Sequence, residues 1–518
     1  MKKLSKFLCL ALCICMVLTM PLTGCTESAE NPEGTTVGKT KASESTAPNT
    51  KTELEPYEVV WYFGGNGSEP NEKLIEEEIG KYLKDKINTT VDIITYPFGE
   101  VTQKVKTIIS SGEKADLVFS CSWVLEYTSA IRDKLFTEIT DDMLNNYAPH
   151  AKEVLSGAWL DGAKVDGKLY HLACNKEIGA QGGVLLNKAL VDKYGFDYTS
   201  LKKYEDLYPM LQTIKEKEPD IIPIDTCAGS TISYLIDCMG NCTGDLINIK
   251  FPLNGTKWVS VFDIPEVADA MKVAKKFADA GFVRKDAVTV RDVLPDHKAG
   301  KVFAANFQLK PAKNKEYEGS TPGVEWVQAG FTEPVIRSGD VTGSMMAIPR
   351  TCPEPSRVLM FYDYFYHDKN MLTLVNYGIE GMHYVKIDEN TIDYAPATEN
   401  GTKSGWKPSS SIWEVGDQFK NYLLKSEDPK KYENLLKFNA NCKTFGDTTG
   451  FRFDKSKCEN AYDLLRVADA DTYTLLMMGL AGDVDTAIAK QVKIWNDAGM
   501  QEMLVEYNKQ YEAWLASK

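Results

Sequence analysis

Few residues in this chain are spaced for covalent chemistry, and the clearest is Cys25, which closes Leu22-Thr23-Gly24-Cys25 behind a basic and then apolar leader. Lys2, Lys3 and Lys6 form the positive start. Phe7 to Met20 is an apolar run too short to cross a bilayer as a permanent helix, so residues 1–24 read as a removable signal peptide. Small Thr23 and Gly24 suit a signal peptidase, and the thiol that follows suits thioether attachment of a diacylglycerol. Two acyl chains hold a protein at a membrane where one is marginal. The other reading is an ordinary secretory signal with an incidental cysteine. Beyond Cys25 the catalytic spacings are missing: there is no nucleophile elbow and no His-Glu-x-x-His. Gly64-Gly65-Asn66-Gly67 lacks the spacing and lysine of a phosphate loop. Carboxylate pairs such as Glu325 with Glu333, or Asp469 with Asp471, would serve a surface glycoside hydrolase, but on an acidic chain they read as solvated charge.

Losing a leader with three lysines and no acidic residue takes the formal charge from -14 to -17, which argues against a nucleic-acid partner. No later stretch has the apolar length of a transmembrane helix, so lipid on Cys25 is the expected membrane attachment, on the extracytoplasmic face. Of twelve cysteines, three leave with the leader and Cys25 carries lipid. The remaining eight are irregularly spaced; Cys238 and Cys242 could close a local disulfide, and the others read as buried thiols or a bridge or two. With five histidines and no second close cysteine pair, a zinc cluster is not expected, and no metal or cofactor site is assigned.

The elements that must position any site begin after residues 25–56, a Ser/Thr/Glu/Lys/Asn/Pro stretch that reads as a disordered tether. A strand over Glu58 to Phe63, a helix over Asn71 to Ile87, a strand over Thr90 to Tyr96, a helix over Glu100 to Ser111 and a strand over Ala115 to Ser120 follow in order. That alternation predicts an α/β fold with a mostly parallel sheet and helices on both faces. A second α/β unit starts with the strand Gly182 to Leu186, the helix Lys188 to Tyr194 and the strand Ile221 to Ile224. Helical periodicity then covers Glu266 to Ala280, Ser356 to His367, Asp417 to Lys425, Tyr432 to Phe438, Tyr462 to Met478, Val484 to Asn496 and Met500 to Ala516, making the last third rich in helix.

Val101 to Phe119 resembles the segment of extracellular solute-binding proteins of ABC importers where a helix ends at Ser-Gly and a strand follows, with Lys104, Gly112 and Asp116 at the matching positions. Gly112 can take the positive φ that closes a helix. Asp166 to Leu172 is similar to the crossover segment between lobes in that family. Met346 to Ser356 with Phe361 to His367 looks like the return crossing and the helix after it. Asn376-Tyr-Gly-Ile-Glu-Gly-Met-His-Tyr384 is the most specific stretch and resembles a block of the large LplA-like lipoproteins, a branch assigned to carbohydrate import; Trp495 to Gly499 and Gln510 to Trp514 resemble that branch's helical C-terminal extension. Cys352 departs from the pattern where a polar residue is expected.

The resemblance implies a two-lobed periplasmic-binding-protein-like fold of type II, each lobe a mixed sheet with flanking helices, that closes about a hinge on ligand in the cleft. The expected lobes are 57–165 with 300–350, and 166–299 with 351–518. It further implies an extracellular carbohydrate, preferably an oligosaccharide, as ligand and integral-membrane ABC permease subunits as partners, with the chain acting as a monomer and not as an enzyme. A peptide ligand is the competing reading.

A sugar presents hydroxyl edges and apolar C–H faces, so its site needs planar aromatics and fixed carboxylate or amide groups. Trp61 and Tyr62 close the first strand before the glycine loop holding Asn66; Trp61 is either a ligand platform or core. Trp123 follows the third strand at its carboxyl end, where open α/β sheets bind ligands. Tyr170 faces either cleft or hinge packing. Asn306, Trp258 and Trp406 are further candidates. In the specific block Gly378 and Gly381 suggest a tight loop presenting Glu380, with His383 and Tyr384 beside it; Glu380 either accepts from ligand hydroxyls or pairs with Arg350 or a lysine.

Overall fold

The computed structural model describes residues 54–517 except 66, 226–229, 244–245, 247, 291, 397–404, 407–410 and 469–471, so Cys25 and most of the tether lie outside the described residues. Two large hydrophobic cores divide the described residues. One gathers residues 59–173 with 345–415, the other residues 180–335 with 445–511, which is the two-lobed α/β architecture the sequence implied.

The first core forms because strand Tyr57–Gly65 is buried on both faces, as a central parallel strand must be. Trp61 lies opposite Ile93 of strand Thr89–Pro97 on one side and Leu117 of strand Leu117–Phe119 on the other, both parallel. Helix Glu72–Ile87 turns Ile75, Ile79, Leu83 and Ile87 inward at four-residue spacing and stops at Asn88, whose φ of 47° is left-handed. Helix Phe98–Ser111 does likewise with Val101, Val105 and Ile109, and Gly112 closes it at φ 82°, as expected. Asp116 is buried as a latch: its carboxylate accepts from Tyr57 Oη at 2.6 Å and from the Val60 amide at 2.8 Å. Strands Met345–Ala347, antiparallel to its neighbours, and His171–Ala173 complete the sheet in the order Thr89, Tyr57, Leu117, Met345, His171.

The second sheet runs Trp326–Gly330, Gln181–Asn187, Val302–Leu309, Ile222–Asp225, with Val302–Leu309 antiparallel to Gln181–Asn187 and parallel to Ile222–Asp225. The lobes therefore exchange segments differently from the division read from the sequence. Of residues 300–350, only Met345–Ala347 joins the first sheet, because Val302–Leu309 and Trp326–Gly330 find their ladder partners in the second. Helix Pro355–His367 packs in the first core. The helix expected over Asp417 to Lys425 is instead a 3-10 turn, Gln418–Lys420, and strand Leu423–Leu424. Asp417 breaks the helical pattern by accepting from Asn175 Nδ2 at 2.9 Å and from the Phe419 amide at 3.1 Å. The pattern over Tyr462 to Met478 resolves into helices Glu459–Ala468 and Thr472–Met477, with Gln491 Nε2 donating to the Ala468 carbonyl at 3.0 Å. Cys238 and Cys242 are not bridged; all seven cysteines among the described residues are free.

Three chain segments pass between the lobes side by side: 174–180, 337–344 and 425–442. Ala180 and Val335 exchange backbone hydrogen bonds, and the Asn439 amide oxygen accepts from the Ile178 amide at 3.0 Å. Within this bundle Glu177 is met by Lys310 Nζ at 2.9 Å, Lys176 Nζ at 3.4 Å and Gln418 Nε2 at 2.9 Å. Burial alone would push the Glu177 carboxyl up, but Lys176 and Lys310 outweigh it and hold it far below its ordinary 4.5. Because the folded carboxyl is the stronger acid, its stabilisation is fully present above pH 4.5 and is lost as pH falls below that value. Glu177→Gln should lower unfolding free energy at neutral pH by about 3 kcal/mol, the low end for breaking a buried pair since Glu316 still holds Lys310. Urea melts from pH 7 to pH 3 should show the gap to wild type closing with acid; a pH-independent gap would reject this account.

Candidate functional site

At the carboxyl ends of the three parallel strands of the first sheet, four aromatic rings come together. Phe98 follows directly on strand Thr89–Pro97, Phe119 ends strand Leu117–Phe119, Trp123 sits on the loop after it, and Trp413 arrives on the short helix Ser411–Glu414. Phe98 stacks on Trp413 with centroids 5.8 Å apart at 23°, and Trp123 lies 5.3 Å from Phe98 and 6.1 Å from Trp413. Phe119 packs edge-on beneath both indoles at 5.9 and 6.1 Å.

Trp123 is 53% exposed, the only tryptophan among the large exposed apolar side chains of the described residues. Its indole is nevertheless held in place: Nε1 donates to the Gly343 carbonyl at 2.8 Å, and the Ser122 amide donates to the Thr342 carbonyl at 3.0 Å. Both acceptors belong to the second crossing segment, so this platform is fastened to the hinge region. Ser344 Oγ in that segment also donates to the Trp413 carbonyl at 2.6 Å. A fixed, half-exposed indole with its nitrogen already satisfied offers solvent an apolar face and no free donor. That surface is suited to stacking on a flat apolar ligand face. Glu414, fully buried behind the cluster, puts a carboxylate beside it. Gly64 makes the arrangement possible, since a Cβ there would stand 2.5 Å from the Phe98 ring and 3.3 Å from Glu414 Oε1.

The other residues singled out from the sequence lie elsewhere. Trp61 is 1% exposed and packs against Phe63, Phe361 and Phe365, so it is core. Trp258 is core in the second lobe. Tyr62 is buried and stacked on Tyr96, and burial pushes its hydroxyl up to about 12. Tyr170 packs half-buried against the first core. Asn306 is fully buried, its amide accepting from the Tyr234 amide and donating to the Gly183 carbonyl. Trp406 is buried with Nε1 donating to the Val375 carbonyl at 3.0 Å. Asn66 and the pair Asp469 and Asp471 lie outside the described residues.

The block Asn376 to Tyr384 does form a tight loop, but the side chain it locks in is His383, not Glu380. His383 Nδ1 accepts from the Ile379 amide at 2.9 Å, and its Nε2 lies 2.9 Å from Asn71 Nδ2 at the start of helix Glu72–Ile87. Gly378, at φ 82°, is required here because a Cβ would stand 2.6 Å from His383 Nδ1. Glu380 points outward and pairs with Lys386 at 2.9 Å rather than with Arg350. It lines a surface cavity of about 390 Å³ with Tyr82, Asn370, Thr373 and Tyr384, none of them part of the aromatic cluster. Phe98, Phe119 and Trp413 were not singled out in the sequence. Phe98 was findable by the same strand-end rule that picked Trp123, whereas Trp413 is brought in by the fold from nearly 300 residues away.

The family model described as bacterial extracellular solute-binding protein matches residues 66–371, and one described as a domain of unknown function matches residues 447–516. The chain is 22% identical to a carbohydrate ABC transporter substrate-binding protein of Streptococcus pneumoniae, over 85% of this chain and 87% of that one. It is also 22% identical to a polygalacturonan/rhamnogalacturonan-binding protein of Bacillus subtilis, over 92% and 94%. Its fold superposes with a TM-score of 0.78 on the crystal structure of an N-glycan transport solute-binding protein of Streptococcus pneumoniae, at 20% identity and covering 89% of this chain and 99% of that one.

Gly64→Ala should force Phe98 off Trp413 at a cost of about 1–3 kcal/mol, the range for overpacking a close contact. A lower Tm together with a changed near-ultraviolet circular dichroism of the tryptophans is the expected result; an unaltered spectrum would mean that Gly64 does not hold the cluster.

Proposed function

Because the chain belongs to the bacterial extracellular solute-binding protein family, we propose that it captures an extracellular carbohydrate, an oligosaccharide, and delivers it to the permease of an ABC importer. The single observation that carries this reading is the rigid aromatic cluster of Phe98, Trp123 and Trp413 at the carboxyl edge of the first sheet. Sugar rings lie flat on such indoles, burying C–H faces that water solvates poorly, while their hydroxyls turn to polar groups at the rim. Two indoles and a phenyl side by side make a surface broader than one sugar ring, which favours a chain of residues over a monosaccharide. The named relatives support the class: one binds polygalacturonan or rhamnogalacturonan, and the N-glycan transport protein has been crystallised with Man5GlcNAc.

In this reading Trp123 contacts ligand directly. Its anchorage to the crossing segment at Gly343 couples ligand contact to the hinge, and differential binding to a closed form drives closure. The protein acts as a monomeric receptor and not as an enzyme, held at the cell surface by diacylglycerol on Cys25. Among the described residues no helix is long and apolar enough to cross a membrane.

A thermal-shift screen of oligosaccharides against peptides tests the ligand class, and stabilisation by peptides alone would reject it. For the sugar that scores best, Trp123→Ala should weaken binding by about tenfold to a hundredfold in calorimetry, the loss of about 1.4–2.8 kcal/mol expected for an aromatic anchor. Its Tm should change little because the side chain is half-exposed. Undiminished affinity would remove Trp123 from the site.

A further inference from the structure

Five histidines spread along the sequence gave no reason to expect a metal site, but the fold treats them unequally. His171, His297 and His383 are fully buried. His150 and His367 both reach solvent, and they stand together with ring centroids 3.8 Å apart at 27°. The buried carboxylate of Asp363 lies against both rings, with Oδ2 2.6 Å from His150 Nδ1 and 3.6 Å from His367 Nδ1.

We propose that His150, Asp363 and His367 form a binding site for a divalent transition ion of the zinc class on the first lobe. The three residues offer ligand atoms within 4.8 Å of one another. Ligands about 2.0–2.2 Å from a tetrahedral zinc are about 3.4 Å apart, a spacing the two Asp363–histidine distances bracket. Small ring rotations close the trio on an ion and leave a fourth position to water. Imidazole nitrogen selects zinc, nickel or copper; calcium and magnesium prefer all-oxygen shells.

The surroundings already hold the carboxylate in place, as supporting partners do in metal sites. Asp363 Oδ1 accepts from the Ala151 amide at 2.8 Å, next to His150 in the chain. His367 follows Asp363 by one helical turn on Pro355–His367, while His150 comes from helix Pro149–Val154. His367 Nδ1 lies 2.9 Å from the Asp363 main-chain carbonyl and 3.6 Å from its carboxylate, so an ion taking that nitrogen replaces one hydrogen bond and gathers both stacked imidazoles on the same acid. A bound ion would clasp the two helices and stabilise the first lobe without touching the aromatic cluster.

The test uses the full chain prepared without a histidine tag, stripped with chelator and titrated with zinc chloride alone in a calorimeter at neutral pH. One saturable zinc per chain is expected, together with a Tm raised by several degrees. His150→Gln and His367→Gln should each weaken zinc binding tenfold or more and abolish the Tm shift; both side chains are partly exposed, so the variants should fold. Asp363→Asn gives a third, independent check. No saturable zinc binding, or binding that survives both histidine substitutions together, would overturn the proposal, whatever the sugar titrations show.

Discussion

A carboxylate taken out of water must be answered by charge at close range, and the answer given to Glu177 organises the middle of this molecule. Glu177 lies on the first crossing segment, Lys310 at the end of a strand of the second sheet, and Gln418 on the turn that leads toward the third crossing. Three pieces of chain far apart in sequence meet at one acid. Removing Lys310 would leave Glu177 with only the more distant Lys176 for charge compensation, which is costlier than losing a surface ion pair. The crossing bundle is thereby specified at one point, with Asn175 and Asp417 repeating the arrangement one step away.

From that bundle the second crossing runs on to Thr342 and Gly343, whose carbonyls fix Ser122 and Trp123. The aromatic cluster is therefore no accidental exposed patch. Its rings are held by mutual packing on Phe119, by the glycine at position 64 and by hydrogen bonds to hinge backbone. Side chains so constrained would lose little entropy under a bound ligand, as the proposed role requires.

The block around Glu380 carries a different lesson. Its glycines and its charged residue suggested a loop built to present a carboxylate. In the fold Gly378 makes room for His383, which ties the loop to the amino end of helix Glu72–Ile87, while Trp406 seals it from behind. A distinctive local pattern records a demanding packing problem as readily as a binding site. Sequence spacing could not distinguish the two, because the partner that decides, Asn71, lies about 300 residues earlier.

What could be read from the chain alone was whatever depends on neighbours within a turn or two. The alternation of strand and helix from Tyr57 to Phe119, the left-handed stop at Gly112, the helix Lys188–Tyr194 and the strand-end position of Trp123 all rest on local periodicity and backbone sterics. The tertiary structure alone decided which sheet claimed Val302–Leu309 and Trp326–Gly330, that Trp61 is core, that Trp413 completes the aromatic cluster, and that His150 meets His367. The physical reason is that ladder pairing and side-chain burial are settled by partners distant in sequence, whose arrival no local pattern encodes.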